Sequence, residues 1–285
     1  MTCVVVLLGA GAYFAYSAYH HVSTLLISPG CQAGSGKNTV SLDTQQASIA
    51  ATIAGVAASK QLPARAVTVA YATAMQESKL HNLDYGDRDS IGVFQQRPSE
   101  GWGTTAELQD PVYATGAFFG ALTKVPNWST IPVDQAAQAV QHSADGSAYS
   151  QYDLMASAMT SAFTGQWARS VYCWAGAGPK PARNLTGAEA ALGHAFGTPG
   201  ADRAVTAIVT SGPAKSPTVA VRVQPGQAWA VASWLVTHAQ SYGISDVRYH
   251  GYQWTASDGS RGWRPATGSA SATSADPASA SILLH

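Results

Sequence analysis

The sequence predicts a mainly α-helical domain followed by a small α+β domain, with a signal or anchor helix at the N-terminus. Three observations predict this fold: a start without charges, helical spacing of small apolar residues in the first half, and alternating apolar residues in the second half. We divide the chain into a signal peptide or membrane anchor (1–28), a helical domain (29–173), a linker (174–183), an α+β domain (184–265) and a disordered tail (266–285).

The composition excludes two classes of protein. Charged residues make up 11% of the 285 residues, against roughly 25% in an ordinary soluble domain. Lys and Arg together number 16, as do Asp and Glu, so the formal net charge is +0. Nucleic-acid binding needs a basic surface, and we therefore expect no nucleic-acid partner. A hydrophobic fraction of 46% is enough to build a core, which argues against global disorder.

The N-terminal segment and the cysteines predict export. Residues 3–27 contain no Asp, Glu, Lys or Arg and reach the roughly 20 residues that a membrane span needs. A signal peptide and a single anchor in the cytoplasmic membrane both fit this pattern, so we expect an extracytoplasmic protein of the cell envelope, secreted or anchored. Cys3 lies in this segment, which leaves Cys31 and Cys173 as the expected disulfide. Two buried free thiols are the alternative.

The first domain is predicted to contain five helices and one long loop. Asp43 is expected to cap a helix that ends near residue 61, and a second helix is predicted over residues 64–79, with Glu77 in its last turn. Three later helices are expected to start near Pro111 (capped by Asp110), Pro132 and Tyr149. Residues 81–105 are irregular, and loops of that length inside a domain are usually functional.

The second domain is predicted from apolar alternation and turn residues. Its expected elements are a helix opened by a capping box of Thr186 and Glu189, strands over 204–210 and 218–223, a helix over 227–242 and a strand over 247–254.

Two short motifs near the end of the second helix point to chemistry. They are Gln76-Glu77-Ser78 in the helix and Ser90-x-Gly92-x-Phe94-Gln95 in the loop. Together they resemble the Glu-Ser and Ser-x-Gly-x-x-Gln signatures of the soluble lytic transglycosylase and goose-type lysozyme superfamily, in particular its actinobacterial envelope proteins. The resemblance covers about residues 40–170. It implies a lysozyme-like fold and cleavage of the glycan strands of peptidoglycan between N-acetylmuramic acid and N-acetylglucosamine.

Glycoside cleavage needs a carboxylic acid that protonates the leaving oxygen, and the resemblance gives that role to Glu77. A solvated Glu at a helix end is the alternative reading. Among the acidic residues of the following loop, Asp89 is the first choice for a second catalytic carboxylate; turn formation around Gly86 is its alternative role. With a second carboxylate the expected product is a hydrolysed sugar; without it, the substrate's own hydroxyl closes on the anomeric carbon, as lytic transglycosylases do.

The resemblance also implies substrate contacts. Family members often carry a Tyr-Asn pair on a later helix, where this chain has Gln141, with Tyr149 and Tyr152 a little further on. Because of this departure, either Tyr149 or Tyr152 provides the aromatic support of the acid, or the support is absent. The expected substrate-binding residues are Ser90, Gly92, Phe94, Gln95, Gln141, Tyr149 and Tyr152.

The second domain is similar to a helix and strand of LAS-type D-alanyl-D-alanine carboxypeptidases, over residues 229–254. Those enzymes bind zinc through His-x(6)-Asp and His-x-His motifs, and this chain has neither. Because His194, His238 and His250 are isolated in the sequence, we expect no metal site and no cofactor. A binding or structural domain is the better reading. For the whole protein, a catalytically inactive wall-binding or envelope scaffold is the alternative to the enzyme.

Overall fold

The computed structural model describes residues 28–141, 147–176, 178–200, 203–211, 218–224, 226–266 and 280–284. Within these ranges the fold is mixed α/β, with two antiparallel sheets. The expected signal or anchor segment lies outside the described residues, apart from its last position. In the described part of the chain, no helix has both the length and the apolar character needed to cross a membrane.

A three-stranded sheet joins the start of the described chain to residues far along the sequence. Its strands are β1 (Gly30–Ser35), β2 (Asn38–Leu42) and β3 (Val171–Trp174), in the order β2-β1-β3. Cys31 lies opposite Cys173, and the expected disulfide between them is confirmed, with the Cα atoms 4.0 Å apart. A disulfide of this kind indicates an oxidising compartment.

The helices predicted for the first half appear in the predicted order, and a short helix over 105–108 that was not predicted lies among them. They are α1 (Thr44–Ser59), α2 (Ala64–Glu77), α3 (Thr105–Leu108), α4 (Pro111–Leu122), α5 (Val133–Gln141), α6 (Ser147–Ser150) and α7 (Asp153–Phe163). Both predicted caps are confirmed, since Asp43 accepts from the backbone N–H of Gln46 and Asp110 from that of Val112. The single helix predicted from Tyr149 is two helices, α6 and α7.

The second half forms two further helices and a short third one over a six-stranded sheet. Its elements are α8 (Leu185–Phe196), β4 (Val205–Ser211), β5 (Thr218–Val223), α9 (Ala228–Thr237), α10 (Ala239–Tyr242), β6 (Asp246–Tyr249), β7 (Tyr252–Thr255), β8 (Arg264–Pro265) and β9 (Ala280–Leu284). The sheet order is β4-β5-β9-β6-β7-β8. The two strands predicted over 204–210 and 218–223 are confirmed as β4 and β5.

Two local predictions in this half are wrong. Residues 247–254 are a hairpin and not one strand, because His250 and Gly251 both have positive φ and form a two-residue turn between β6 and β7. The cap of α8 is Asn184, whose side chain accepts from the N–H of Gly187, and not Thr186. Asn is as good an N-cap as Thr, and it lies one position before the helix.

The predicted disorder of the tail (266–285) is wrong for its last described residues. Strand β9 lies in the interior of the sheet, paired with β5 on one side and β6 on the other. Its apolar side chains explain this: Ile282 and Leu284 are two residues apart, point to the same face and are fully buried. Residues 267–279 lie outside the described part of the chain.

One continuous apolar core includes residues of both halves. Helix α9 packs on α1 and β3, and α8 packs on α1. Strand β3 also accepts two indole hydrogen bonds from the second half, from Trp254 to the carbonyl of Cys173 (3.0 Å) and from Trp263 to that of Val171 (2.8 Å). The domain boundaries drawn from the sequence stay a prediction.

Replacing both Cys31 and Cys173 with Ala is expected to lower the free energy of unfolding by about 2–5 kcal/mol. The bridge joins residues 142 positions apart and so restricts the unfolded chain strongly. Denaturant unfolding with and without dithiothreitol measures this: the reductant should destabilise the wild-type protein and leave the double variant unchanged. Equal stability of the wild type and the double variant without dithiothreitol would contradict the expectation.

The Ile282→Ala variant is expected to lose about 2–5 kcal/mol of stability, as buried Ile residues do in a packed core. Leu283, its half-buried neighbour on the opposite face of β9, is the matched control, and Leu283→Ala should cost clearly less. Thermal or denaturant unfolding of the two variants compares them. Equal losses would show that β9 does not bury one face in the sheet.

Candidate functional site

Glu77 is the last residue of α2 and is half-buried. The helix carries a continuous run of buried residues, including Tyr71, whose hydroxyl donates to the carbonyl of Ala50 at 2.7 Å. It ends because Lys79 and Leu80 adopt positive φ, the left-handed conformation that stops a helix. A packed helix therefore fixes the position of the Glu77 backbone.

A buried tyrosine holds the Glu77 carboxyl group. The hydroxyl of Tyr149, on α6, donates to Glu77 Oε1 at 2.7 Å, and the Tyr149 side chain is 1% exposed. Tyr152 is occupied differently: its hydroxyl accepts from Lys79 Nζ, which also lies 4.8 Å from the centre of the Tyr152 ring. Of the two tyrosines that the sequence offered as support for the acid, Tyr149 contacts it.

The second motif packs against the end of α2. Residues 91–96, which we call the docked hairpin, are closed by a bridge between Ile91 and Gln96. Ser78 Oγ donates to the carbonyl of Val93 at 2.7 Å, and Gln141 Nε2 donates to the carbonyl of Phe94 at 2.8 Å. Ser78, the residue after Glu77, thus helps to hold the docked hairpin in place.

Phe94, expected as a substrate-binding residue, packs in the apolar core. Its side chain is fully buried and stacks on Phe118, with ring centres 4.5 Å apart and planes 10° apart. An aromatic ring in the core gains more from this packing than it would at a wet surface. It anchors the docked hairpin, and this burial argues against contact with a glycan.

The side-chain amides of Gln95 and Gln141 donate hydrogen bonds to backbone carbonyls of the protein. Gln95 Nε2 donates to the carbonyls of Tyr85 (3.3 Å) and Gly92 (3.2 Å), and it makes no described hydrogen bond to Glu77. Gln141 holds the docked hairpin, as given above. Loop carbonyls that lack a strand partner need such donors. Substrate contact by either residue stays a prediction.

Ser90 and Gly92, which were expected to bind substrate, shape the loop, and substrate contact by either residue stays a prediction. The N–H of Ser90 donates to the carbonyl of Asp87 at 3.0 Å, and the N–H of Gly92 donates to that of Leu83 at 2.7 Å. Gly92 has φ of +78°, and a Cβ there would lie 2.5 Å from the carbonyl oxygen of Leu108. Only glycine fits this close approach.

Asp89, the expected second carboxylate, is hydrogen-bonded to other residues of the loop. Its Oδ2 accepts from the N–H of Ser99 at 2.8 Å, and its Oδ1 accepts from Arg97 Nε at 2.8 Å and Ser99 Oγ at 2.9 Å. These bonds, led by the Ser99 N–H, lower the pKa of Asp89 to about 2. A carboxylate with that pKa is a weak base, so its contacts argue against a catalytic role.

Compared with known proteins, the chain matches no protein-family model and none of the curated proteins. The resemblance to the lytic transglycosylase superfamily therefore rests on the two sequence motifs alone. Among the described residues, no group of three His, Cys, Asp or Glu side chains is close enough to hold a metal ion. The role of Ser78 as a loop anchor was missed, although its place beside Glu77 in the motif was the available signal.

The Asp89→Asn variant should lose stability at neutral pH and less at low pH. The folded pKa of about 2 lies below the value of about 3.9 in the unfolded chain, so the ionised carboxylate stabilises the fold above pH 4. That contribution fades as the pH falls towards 2. Melting temperatures of the wild type and the variant should therefore converge between pH 4 and pH 2.

Asp84→Asn is the matched control for this pH series, because Asp84 is an exposed residue of the same loop. We expect its melting temperature to follow that of the wild type throughout the range. A gap between Asp89→Asn and the wild type that stays constant down to pH 2 would contradict the assigned pKa.

Proposed function

We propose that this protein cleaves the glycan strands of peptidoglycan, with Glu77 as the proton donor. The observation that carries the proposal is the hydrogen bond from the buried Tyr149 to Glu77 at the end of α2, beside the docked hairpin. The resemblance of the two motifs supplies the substrate class and a lysozyme-like fold. The proposed reaction uses protein side chains alone and needs no cofactor.

The proposed mechanism starts with proton transfer. Tyr149 holds Oε1 of Glu77 and so fixes the plane of the carboxyl group, which leaves Oε2 to carry the proton to the leaving oxygen. As the glycosidic bond breaks, positive charge develops at the anomeric carbon, and the carboxylate that remains stabilises it. A rigid acid at a helix end needs little reorganisation for this step.

The hydrogen bonds that Asp89 makes within the loop favour a lytic transglycosylase over a hydrolase. A hydrolase needs a base that activates water, and Asp89 is both weakly basic and bound by Arg97 and Ser99. Without Asp89 as a base, Glu77 would give its proton to the leaving oxygen and then take one from the substrate's own hydroxyl. The products would carry 1,6-anhydro ends.

We place the protein in the cell envelope. The disulfide between Cys31 and Cys173 supports an oxidising location, and the charge-free segment over residues 3–27 supports export through, or anchoring in, the cytoplasmic membrane. Glycan strands of peptidoglycan are then the proposed binding partner.

The alternative is a catalytically inactive scaffold that binds the wall. One observation favours it: Phe94 and Gln95, both part of the second motif, are used to build the loop. A scaffold keeps the packing of the fold and does not need Glu77 to be reachable by a glycan.

The Glu77→Gln variant is expected to lose at least about 100-fold of its activity on purified sacculi, the lower range of general acid catalysis. Its amide oxygen can still accept from Tyr149, so the fold should be kept. Released muropeptides are identified by mass, and 1,6-anhydro ends distinguish a transglycosylase from a muramidase. Glu189→Gln, in α8, is the matched control with expected wild-type activity.

Two results would decide against the enzyme. If the wild type and Glu77→Gln release fragments at the same rate, Glu77 is not the acid. If neither releases fragments and both sediment with sacculi, the wall-binding scaffold is the function.

A further inference from the structure

Tyr85 is the most exposed aromatic side chain in the described part of the chain. It is 68% exposed and lies in the segment 84–88, all of whose residues are exposed. It does not belong to the apolar core or to the half-buried residues that pack against it. Since an aromatic ring gains free energy when it is covered, this position leaves a large apolar surface free for a ligand.

The second motif fixes the backbone that carries this ring. Gln95 Nε2 donates to the Tyr85 carbonyl at 3.3 Å. The next residue, Gly86, lies so close to the motif that a Cβ there would be 2.0 Å from Gln95 Oε1 and 2.5 Å from the Ser90 carbonyl oxygen. Only glycine fits this contact. An ordered backbone therefore presents the Tyr85 ring, and a tyrosine loses little conformational entropy when its ring binds a partner.

The docked hairpin connects Tyr85 to the candidate acid. Ser78, which follows Glu77, donates to the carbonyl of Val93. Gln95, which holds the Tyr85 carbonyl, lies two residues beyond Val93. Two residues of chain span at most about 7 Å. A glycan strand bound at Glu77 is therefore long enough to reach the Tyr85 ring within a few sugar units.

We propose that Tyr85 stacks on the apolar face of a sugar ring in the bound glycan and so holds the strand beside Glu77. The C–H groups of a sugar ring form such a face, and the flat face of an aromatic ring packs on it. The inference rests on the glycan ligand proposed above, but it does not need cleavage, because a wall-binding scaffold would use Tyr85 in the same way. It gives Gln95 and Ser90 an indirect part in binding, since they hold the segment that carries Tyr85.

Binding is measured with the full chain carrying Glu77→Gln, which suppresses cleavage by Glu77. The probes are purified sacculi and a peptidoglycan-derived tetrasaccharide. Adding Tyr85→Ala should weaken the binding of both about 3–10-fold, the effect of one lost aromatic contact. Tyr85→Phe keeps the ring and should bind like the parent chain. Tyr252→Ala removes a half-buried ring from β7 and is the control with unchanged binding.

The chain with Glu77 intact gives a second readout. Tyr85→Ala should raise KM for sacculi about 3–10-fold with little change in kcat, because the ring binds the substrate and the transition state alike. Melting temperatures equal to that of the parent chain show that the fold is kept, as expected for an exposed residue.

The outcomes separate this inference from the proposed function. Equal binding by Tyr85→Ala and its parent, or the same loss in Tyr85→Phe, would overturn the stacking role and leave the proposed cleavage standing. Weaker binding by Tyr85→Ala, in a protein whose wild type releases no fragments, would support Tyr85 and the wall-binding scaffold. If the parent chain binds neither sacculi nor the tetrasaccharide, both the inference and the proposed function are wrong.

Discussion

The geometry of the candidate site depends on two hydrogen bonds to successive carbonyls of the docked hairpin. Ser78 donates to Val93 and Gln141 donates to Phe94, so the loop is tied both to the helix that carries Glu77 and to α5. These carbonyls have no strand partner, and leaving a buried carbonyl unpaired costs about 1–3 kcal/mol. The loop is thus held beside Glu77 because its buried carbonyl groups need hydrogen-bond donors.

The polar groups around the docked hairpin have different roles. Asp89 is ionised and fully bonded, so it orders the loop through Arg97 and Ser99 and has little capacity left for proton transfer. In the part of the chain that the structure describes, the Glu77 carboxyl group accepts one hydrogen bond, from Tyr149. Held in this way, Glu77 suits the proposed reaction, in which the substrate supplies its own nucleophile. Gln141 anchors the docked hairpin through the carbonyl of Phe94.

Local signals were sufficient for most of the helices and for their caps, and the role of Glu77 as an acid stays a proposal. Caps such as Asp43 act within four residues, and Glu77 with its neighbouring Ser has a recognisable motif. Long-range pairing was predictable only in part. The expected disulfide brought together Cys31 and Cys173, which are 142 positions apart, but the strands β1 and β3 around them were not predicted. Strand β9 was not predicted either, because its place depends on the burial of Ile282 in a distant sheet. Likewise, the contact partners of Glu77 and Asp89 depend on tertiary packing that no short window of sequence contains.

The central claim is that Glu77 faces the scissile bond of a bound glycan. A crystal structure of the Glu77→Gln variant with a peptidoglycan-derived tetrasaccharide tests it most directly. The account predicts a glycosidic oxygen within about 3 Å of the side chain at position 77, with the Tyr149 hydrogen bond kept. A tetrasaccharide bound away from the end of α2, or a side chain at position 77 turned from the sugar, would contradict it.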